Sequence, residues 1–469
     1  MLNLFLTTFV TAFFAAGIRR PFLFVLAYAY IDILAPQKVS WGFLQSIPIS
    51  LIAFIGAVTA WAVADDKTGM RFSPRQFLLL LLLIYCGLTT RSADFPVEAL
   101  DKWSWVWKAL VFALFLPLTV RTRLRIEALA LVMVLSLACI VIGGGIKTVA
   151  SGGGGYGTLR LLVNDNTGIY EGSTLSMVAV ATIPLIVWLA RFGTIFPPGK
   201  LVTLFAIALG FACCLIPIGT QTRTGLICLV ILIALSLRVV KRPLLYIGVI
   251  AGLGSAAVPF LPQSYLDRMN TIENHKSDQS ASTRMAVWMW TLDFVKTRPF
   301  GGGFDAFRQN RVSYDTIKAE HAGDNNTAIE TQRIEEKARA YHSGYFEMLG
   351  EQGWPGFVMW LLLHVSGIVQ LELIQRRLRR KTDVMSRSDR SLALALQSGH
   401  CVYMFGALFV GIAFQPFIFM LIGLQIALAM QVSRRLAPPS QWQTLAQKAS
   451  AARSDEPAEA PGLPSGFAR

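Results

Sequence analysis

Three short stretches place reactive side chains where the chain is about to enter, or has just left, a helix. The first is GTQTRTG (219–225). Thr222 predicts an N-cap and Arg223 falls in the first turn, where free amides and the positive helix end point the same way. A guanidinium added there makes an anion site. An interfacial arginine reaching for lipid headgroups fits the fragment equally well. The second is SASTRMAVWMWTLDFVKTRPFGGGF (280–304). Met285, Trp288, Met289, Leu292 and Val295 follow helical spacing, which predicts an amphipathic helix on the membrane surface or the bundle. Ser282 is the expected cap, and Arg284 in the first turn is a second candidate anion ligand. The third is AYHSGYFEMLGEQGWPGFVMW (340–360). It predicts a short helix carrying His342, with Tyr345, Phe346 and Leu349 on the same face, ending at Gly350 or Gly353. Pro355 then opens the next span. His342 could serve as a general base near neutral pH, although spacing alone favours an ordinary interface role. Glu347 and Glu351 do not lie beside His342 on that helix. Tyr345, Arg298 and Glu351 are secondary site candidates within the same stretches.

Other polar residues carry less. The six cysteines (Cys86, Cys139, Cys213, Cys214, Cys228 and Cys401) sit in apolar runs, without metal spacing or a disulfide framework. No His/Cys/Asp/Glu group has metal-ligand spacing, so no metal or cofactor is expected. The stretch NNTAIETQRIEEKARA (325–340) reads as a solvated helix. The glycines at 301–303 serve a turn, and SGGGGYG (151–157) reads as a flexible loop. His364, His400 and Asp32 fall within apolar spans, where single histidines are read as packing residues. Such scarcity of intramembrane charge disfavours an ion-coupled transporter.

The elements that must position these residues are membrane spans. The 469 residues are 54% hydrophobic and 15% charged, against about 25% charged in soluble proteins. A span needs about 20 apolar residues, and about thirteen candidates occur, near 2–18, 21–36, 43–64, 77–90, 103–120, 126–146, 174–190, 201–219, 224–240, 243–261, 354–374, 393–412 and 414–432. Two are short, so twelve is also admissible. Arg19 and Arg20 follow the first apolar run rather than precede it, which is the wrong polarity for a cleaved signal. With the N-terminus outside, the inner loops collect Arg19 and Arg20, then Lys67, Arg71 and Arg75, then Arg121, Arg123 and Arg125, and later QRRLRRKTDVMSRSDR (375–390), as the positive-inside rule requires. The net charge of +15 is therefore read as topology and not as a nucleic-acid footprint. The fold class expected is an all-α polytopic membrane protein of 12–13 helices. It divides into an N-terminal membrane region (1–150), a central region with the arginine motif (151–261), a large periplasmic loop (262–353), C-terminal spans (354–432) and a disordered cytoplasmic tail (433–469). A bacterial inner membrane is implied, with the three stretches on its periplasmic face.

HSGYFEMLGEQGWPG is similar to the histidine motif of the O-antigen ligase and polymerase superfamily (the Wzy_C domain), and GTQTRTG to its arginine motif. DRMNTIENHKSDQSASTRMAVWMWTLDFVKTRPFGGGFDAF, with RRPF (19–22), PQKVSWGF (36–43) and IPIS (47–50), more narrowly resembles the O-glycosylation ligases associated with exosortase A. The resemblance covers most of residues 1–365. Three departures stand out. Thr224 separates Arg223 from Gly225, NDNTGIYEGST (164–174) matches only loosely, and the stretch from Phe307 to His342 is long.

The resemblance implies a GT-C-like glycosyltransferase bundle. It implies transfer of a glycan from undecaprenyl diphosphate to an acceptor hydroxyl, on a protein or a glycan, without metal and with inversion. Arg223 and Arg284 match the diphosphate-binding arginines, and His342 the base. The alternatives are a polysaccharide polymerase with the same donor and residues, and a solute transporter, which some superfamily members have been called.

Overall fold

The computed structural model describes residues 2–40, 43–65, 67–68, 70–150, 168–257, 279–322 and 326–437. The 151–157 glycine run, residues 164–167, His275 with the rest of 258–278, and the tail from 438 lie outside them. The helices are α1 (Leu2–Arg19), α2 (Phe22–Leu34), α3 (Pro36–Val39), α4 (Ile49–Ala64), α5 (Pro74–Arg91), α6 (Pro96–Thr119), α7 (Arg123–Ala150), α8 (Gly172–Phe192), α9 (Lys200–Gly219), α10 (Arg223–Leu237), α11 (Pro243–Ala257), α12 (Gln279–Thr297), α13 (Gly344–Leu378), α14 (Val384–Gly406) and α15 (Pro416–Leu436). Each expected span falls on one of them. Helices α7, α8, α9, α13 and α15 are long and apolar enough to cross a bilayer. Large side chains on the outside, such as Phe5, Leu201, Leu204 and Leu244, are exposed; hydrocarbon accepts such a surface and water opposes it. The protein is a polytopic helical membrane protein.

Inside the bundle, α8 packs along α14, α6 along α15, α7 and α8 against α9, and α13 against α14 and α5. Trp360, Tyr28, Tyr403, Phe112 and Phe419 fill the interior. Helix starts follow local chemistry. Ser73 and Gln76 form a reciprocal capping box ahead of α5, with Pro74 at its first position. Glu171 caps α8 through the amides of Ser173 and Thr174 at 3.0 and 2.6 Å.

Three expectations need correction. Residues 326–337 are not a solvated helix: Asn326–Lys337 is strand β2, paired antiparallel with β1 (Arg311–Ala322) from Arg311↔Lys337 to Ala322↔Asn326. Its charges are not helix i,i+4 support. The long segment between Phe307 and His342 is this hairpin, and its neck is clasped by buried Asn310, whose side chain accepts from the Arg339 amide at 3.0 Å and donates to the Arg339 carbonyl at 2.7 Å. Second, α12 begins at Gln279, so Ser282 is not its cap. Third, Arg75 is not an exposed loop charge. It is 5% exposed, donates to Gln370 at 3.2 Å and Gln425 at 3.0 Å, and among the described residues has no acidic partner. Gly367 makes the room, since a Cβ there would lie 2.3 Å from its guanidinium. Gln425 in turn reaches His400 at 2.9 Å, and His400 bonds His364 at 2.7 Å. The two histidines are thus one buried polar network rather than separate packing residues, and the count of intramembrane charge on which the case against a transporter stood omitted Arg75.

The functional end is organised by a break in α13. Gly353 takes φ +61 and ψ −167, and Pro355 has no amide to give the Glu351 carbonyl four residues back. The 298–305 loop replaces the lost ladder. Gly302 donates to the Gly350 carbonyl at 3.1 Å, Gly303 to the Glu351 carbonyl at 2.9 Å, and the Trp354 amide turns to the Pro299 carbonyl at 2.9 Å. Tyr85 donates to the Gln352 carbonyl at 2.9 Å. The glycine triplet therefore seals a helix break, with Gly301 and Gly303 at φ +80 and +79. A Cβ on Gly353 would lie 2.2 Å from the Pro299 carbonyl oxygen. Gly353→Ala is expected to cost at least about 2 kcal/mol, from left-handed strain and overlap together. Thermal unfolding in detergent checks this, and an unchanged midpoint contradicts it.

Candidate functional site

His342 does not ride on a helix. It precedes Ser343, the N-cap of α13, in a left-handed conformation with φ +47. Tyr345, Phe346 and Leu349 do lie on that helix, so the shared face expected for all four is not formed. Backbone anchors on either side hold the histidine. Before it, Trp288 on α12 donates its indole N–H to the Tyr341 carbonyl at 2.9 Å. After it, the Gly344 amide donates to the Ala407 carbonyl at 2.7 Å. Trp288 also stacks flat on Phe346, with ring centroids 4.9 Å apart and planes 5° from parallel. These contacts tie α12, α13 and the α14–α15 loop around one residue.

The His342 side chain is exposed but crowded by protein. Partial desolvation first, then the positive charges of Arg284 and Arg339, hold its pKa below the ordinary histidine value, while Glu171 pulls the other way. Arg284 lies one turn before Trp288 on α12, which sets it within electrostatic reach of His342. Arg339 is held by Glu336 in a two-pronged pair at 2.6 and 2.7 Å.

Arg223 is the first residue of α10, after Thr222 at the N-cap position. Thr222 does not cap the helix with its side chain. Its hydroxyl turns to Ser176 at 3.0 Å, and Ser176 bonds Thr220 at 2.7 Å. Gly225 is required here because a Cβ would lie 2.7 Å from the Ser176 Cβ and 2.9 Å from the Pro217 Cβ. The start of α10 is thereby seated on the first turns of α8, next to Gly172, whose added Cβ would contact Thr220 and Thr222 at 3.4 and 3.6 Å. Glu171, one residue away, faces His342 electrostatically. Arg284 is thus linked to His342 by its charge, and Arg223 sits at the α10 start that is seated on the beginning of α8.

The secondary candidates are engaged elsewhere. Arg298 pairs with Asp94, which also accepts from Gln309 at 2.9 Å. Tyr345 donates to the Met404 carbonyl at 3.2 Å. Glu351 is fully buried and, with Glu347, grips Lys102 on α6. The ammonium lies 2.6 Å from Glu347 and 2.8 and 2.9 Å from the two Glu351 oxygens. Sequence reasoning missed Lys102, Glu347, Glu171, Trp288 and Arg339. A signal existed for the first two: carboxylates one helical turn apart, and a lone lysine at the edge of an apolar span. Among the described residues, no three His, Cys, Asp or Glu side chains gather as a metal group.

Removing the Arg284 charge lifts one of the influences that lower the His342 pKa. Arg284→Gln is expected to move the pH midpoint of diethyl pyrocarbonate modification at His342 upward, read on its own peptide by mass spectrometry. An unmoved midpoint puts Arg284 out of reach.

Comparison with known families divides the chain where the site is assembled. Residues 205–361 match the family model described as O-Antigen ligase (Wzy_C), and residues 1–194 match a family of unknown function (DUF5935). No curated protein matches the chain. Arg223, Arg284 and His342 fall in the first of these regions, and Lys102 and Glu171 in the second, so the histidine stands in a region similar to the O-antigen ligase model and is surrounded by charges from both matched regions.

Proposed function

We propose that the protein is an inner-membrane glycosyltransferase. It transfers a glycan from undecaprenyl diphosphate to an acceptor hydroxyl on the periplasmic side, and within that class acts as an O-glycosylation ligase of the exosortase A-associated type. The match to the O-antigen ligase model supports the class, and the RRPF, PQKVSWGF and α12 motifs support the subtype. The observation that carries the chemistry is an accessible His342 whose pKa is held low by partial desolvation and by the charge of Arg284. A histidine that stays neutral at neutral pH is ready to accept a proton.

The steps follow from charge. The acceptor oxygen attacks the anomeric carbon as the bond from that carbon to the diphosphate oxygen breaks, inverting the centre. His342 takes the hydroxyl proton, and Glu171 stabilises the imidazolium that results. The departing diphosphate gains negative charge, which Arg284 and Arg223 meet with planar guanidinium donors. Arg223 adds the positive end of α10. Two arginines in this role make a metal unnecessary. The lipid-facing exterior gives the polyprenyl chain an apolar path to the site.

Purified protein, lipid-linked glycan and acceptor in detergent test this. Arg223→Ala, Arg284→Ala and His342→Ala are each expected to lower transfer by about two orders of magnitude or more while leaving membrane insertion intact. Chelator is expected to leave wild-type activity unchanged. The rate should rise with pH through the His342 pKa, so activity persists further into acid than an ordinary histidine base permits. Full activity in His342→Ala removes the base assignment, and loss with chelator removes the metal-free mechanism. A ladder of lengthening glycan in place of a single transfer product would make the protein a polymerase.

A further inference from the structure

Lys102 has no part in the chemistry above, yet its ammonium lies within 3 Å of three carboxylate oxygens on the first segment of α13. We infer that Lys102 is a positioning residue for His342, setting the base from the N-terminal matched region without touching substrate. This rests on the proposed transfer reaction.

Glu347 and Glu351 lie one turn apart on the first segment of α13, where two carboxylates repel. Both are buried, and a buried carboxylate without a partner is strongly destabilising. The Lys102 ammonium between them removes that repulsion. It is itself shut away, with a side chain 13% exposed and the Phe304 and Phe414 rings at 5.5 and 5.9 Å, so no substrate needs to meet it.

The two carboxylates then make different second contacts, Glu351 through the Oε1 it shares with Lys102 and Glu347 through its other oxygen, Oε2. Glu351 accepts from the Asp305 amide at 3.0 Å and so holds the glycine loop. Glu347 accepts from the Ala413 amide at 3.0 Å and so holds the α14–α15 loop. That loop is the one whose Ala407 carbonyl accepts the Gly344 amide beside His342. Gly411 in the same loop lies against both partners: a Cβ there would be 3.4 Å from Glu347 Oε2 and 4.0 Å from the His342 amide nitrogen. Lys102 therefore holds Glu347, Glu347 holds the loop, and the loop holds a histidine in a left-handed conformation that side chains rarely adopt unaided. When the ammonium is absent the carboxylates separate, and the grip on His342 loosens.

The test uses the full chain in detergent. Lys102→Met is expected to lower kcat about tenfold or more, with the KM for lipid-linked donor within about twofold, because a displaced base slows the step without weakening donor binding. Independently of transfer, the diethyl pyrocarbonate modification rate at His342 should change about threefold or more, since the ring's setting changes. Adding Glu351→Gln to Lys102→Met should restore most of the lost rate, because one repelling charge is gone and Glu347 still reaches Ala413. Adding Glu347→Gln instead should not. Equal rescue by the two double variants, or an unchanged His342 rate in Lys102→Met, overturns the inference. If Lys102→Met fails to accumulate, Glu347→Gln in the wild-type background carries the same measurements, with the same expected direction. If wild-type protein transfers no glycan at all, the proposed function falls, and the modification rates still decide the role of Lys102.

Discussion

A helix that breaks where it is buried in protein must find new partners for its backbone, because an unpaired buried amide or carbonyl is costly. The break at Gly353 sets that constraint here. Pro355 withholds one amide and Gly353 redirects another. The carbonyls of Gly350, Glu351 and Gln352 are then met by Gly302, Gly303 and Tyr85. Everything at this end of the molecule is registered to that junction. It fixes α12 through the loop that follows it, and it orients the first segment of α13, at whose start His342 stands.

Charge completes what the backbone begins. Lys102 comes from the N-terminal matched region and lodges between two carboxylates of the region that matches the O-antigen ligase model. Glu171 comes from the same N-terminal region and faces His342 while capping α8. The two matched regions are thus not modules joined end to end. The surroundings of the histidine are shared between them, and each supplies charges that the other needs buried or balanced. Arg284 and Arg339 add to desolvation in lowering the pKa of His342, which links the electrostatics of this region to the chemistry proposed for it.

Much of the bundle was legible because a bilayer imposes a simple rule. Apolar runs of sufficient length become helices, and among the described residues each expected span lies on one. The start of α10 at Arg223 was equally local. The misreadings share a different cause. Residues 326–337 contain charges at spacings that suit a helix, but pairing with 311–322 decided for strand. Ser282 looks like a cap, yet α12 starts earlier. His342 sits in a stretch with helical periodicity, yet the Trp288 and Ala407 contacts hold it just outside the helix. Arg75 was counted with the loop charges, although Gly367, nearly three hundred residues away, opens a place for it in the bundle.

By itself, then, the sequence determined a polytopic helical protein and singled out Arg223, Arg284 and His342, because hydropathy, helix starts and short motifs are local properties. Only the tertiary structure decided that Lys102 joins Glu347 to Glu351, that the glycine triplet seals the α13 break, and that Arg284 and Glu171 act on the same histidine. Those outcomes depend on which distant segments come within a few ångströms of one another. Spacing along a chain carries no record of that, whereas unpaired buried charges and unmet carbonyls enforce it once the bundle closes.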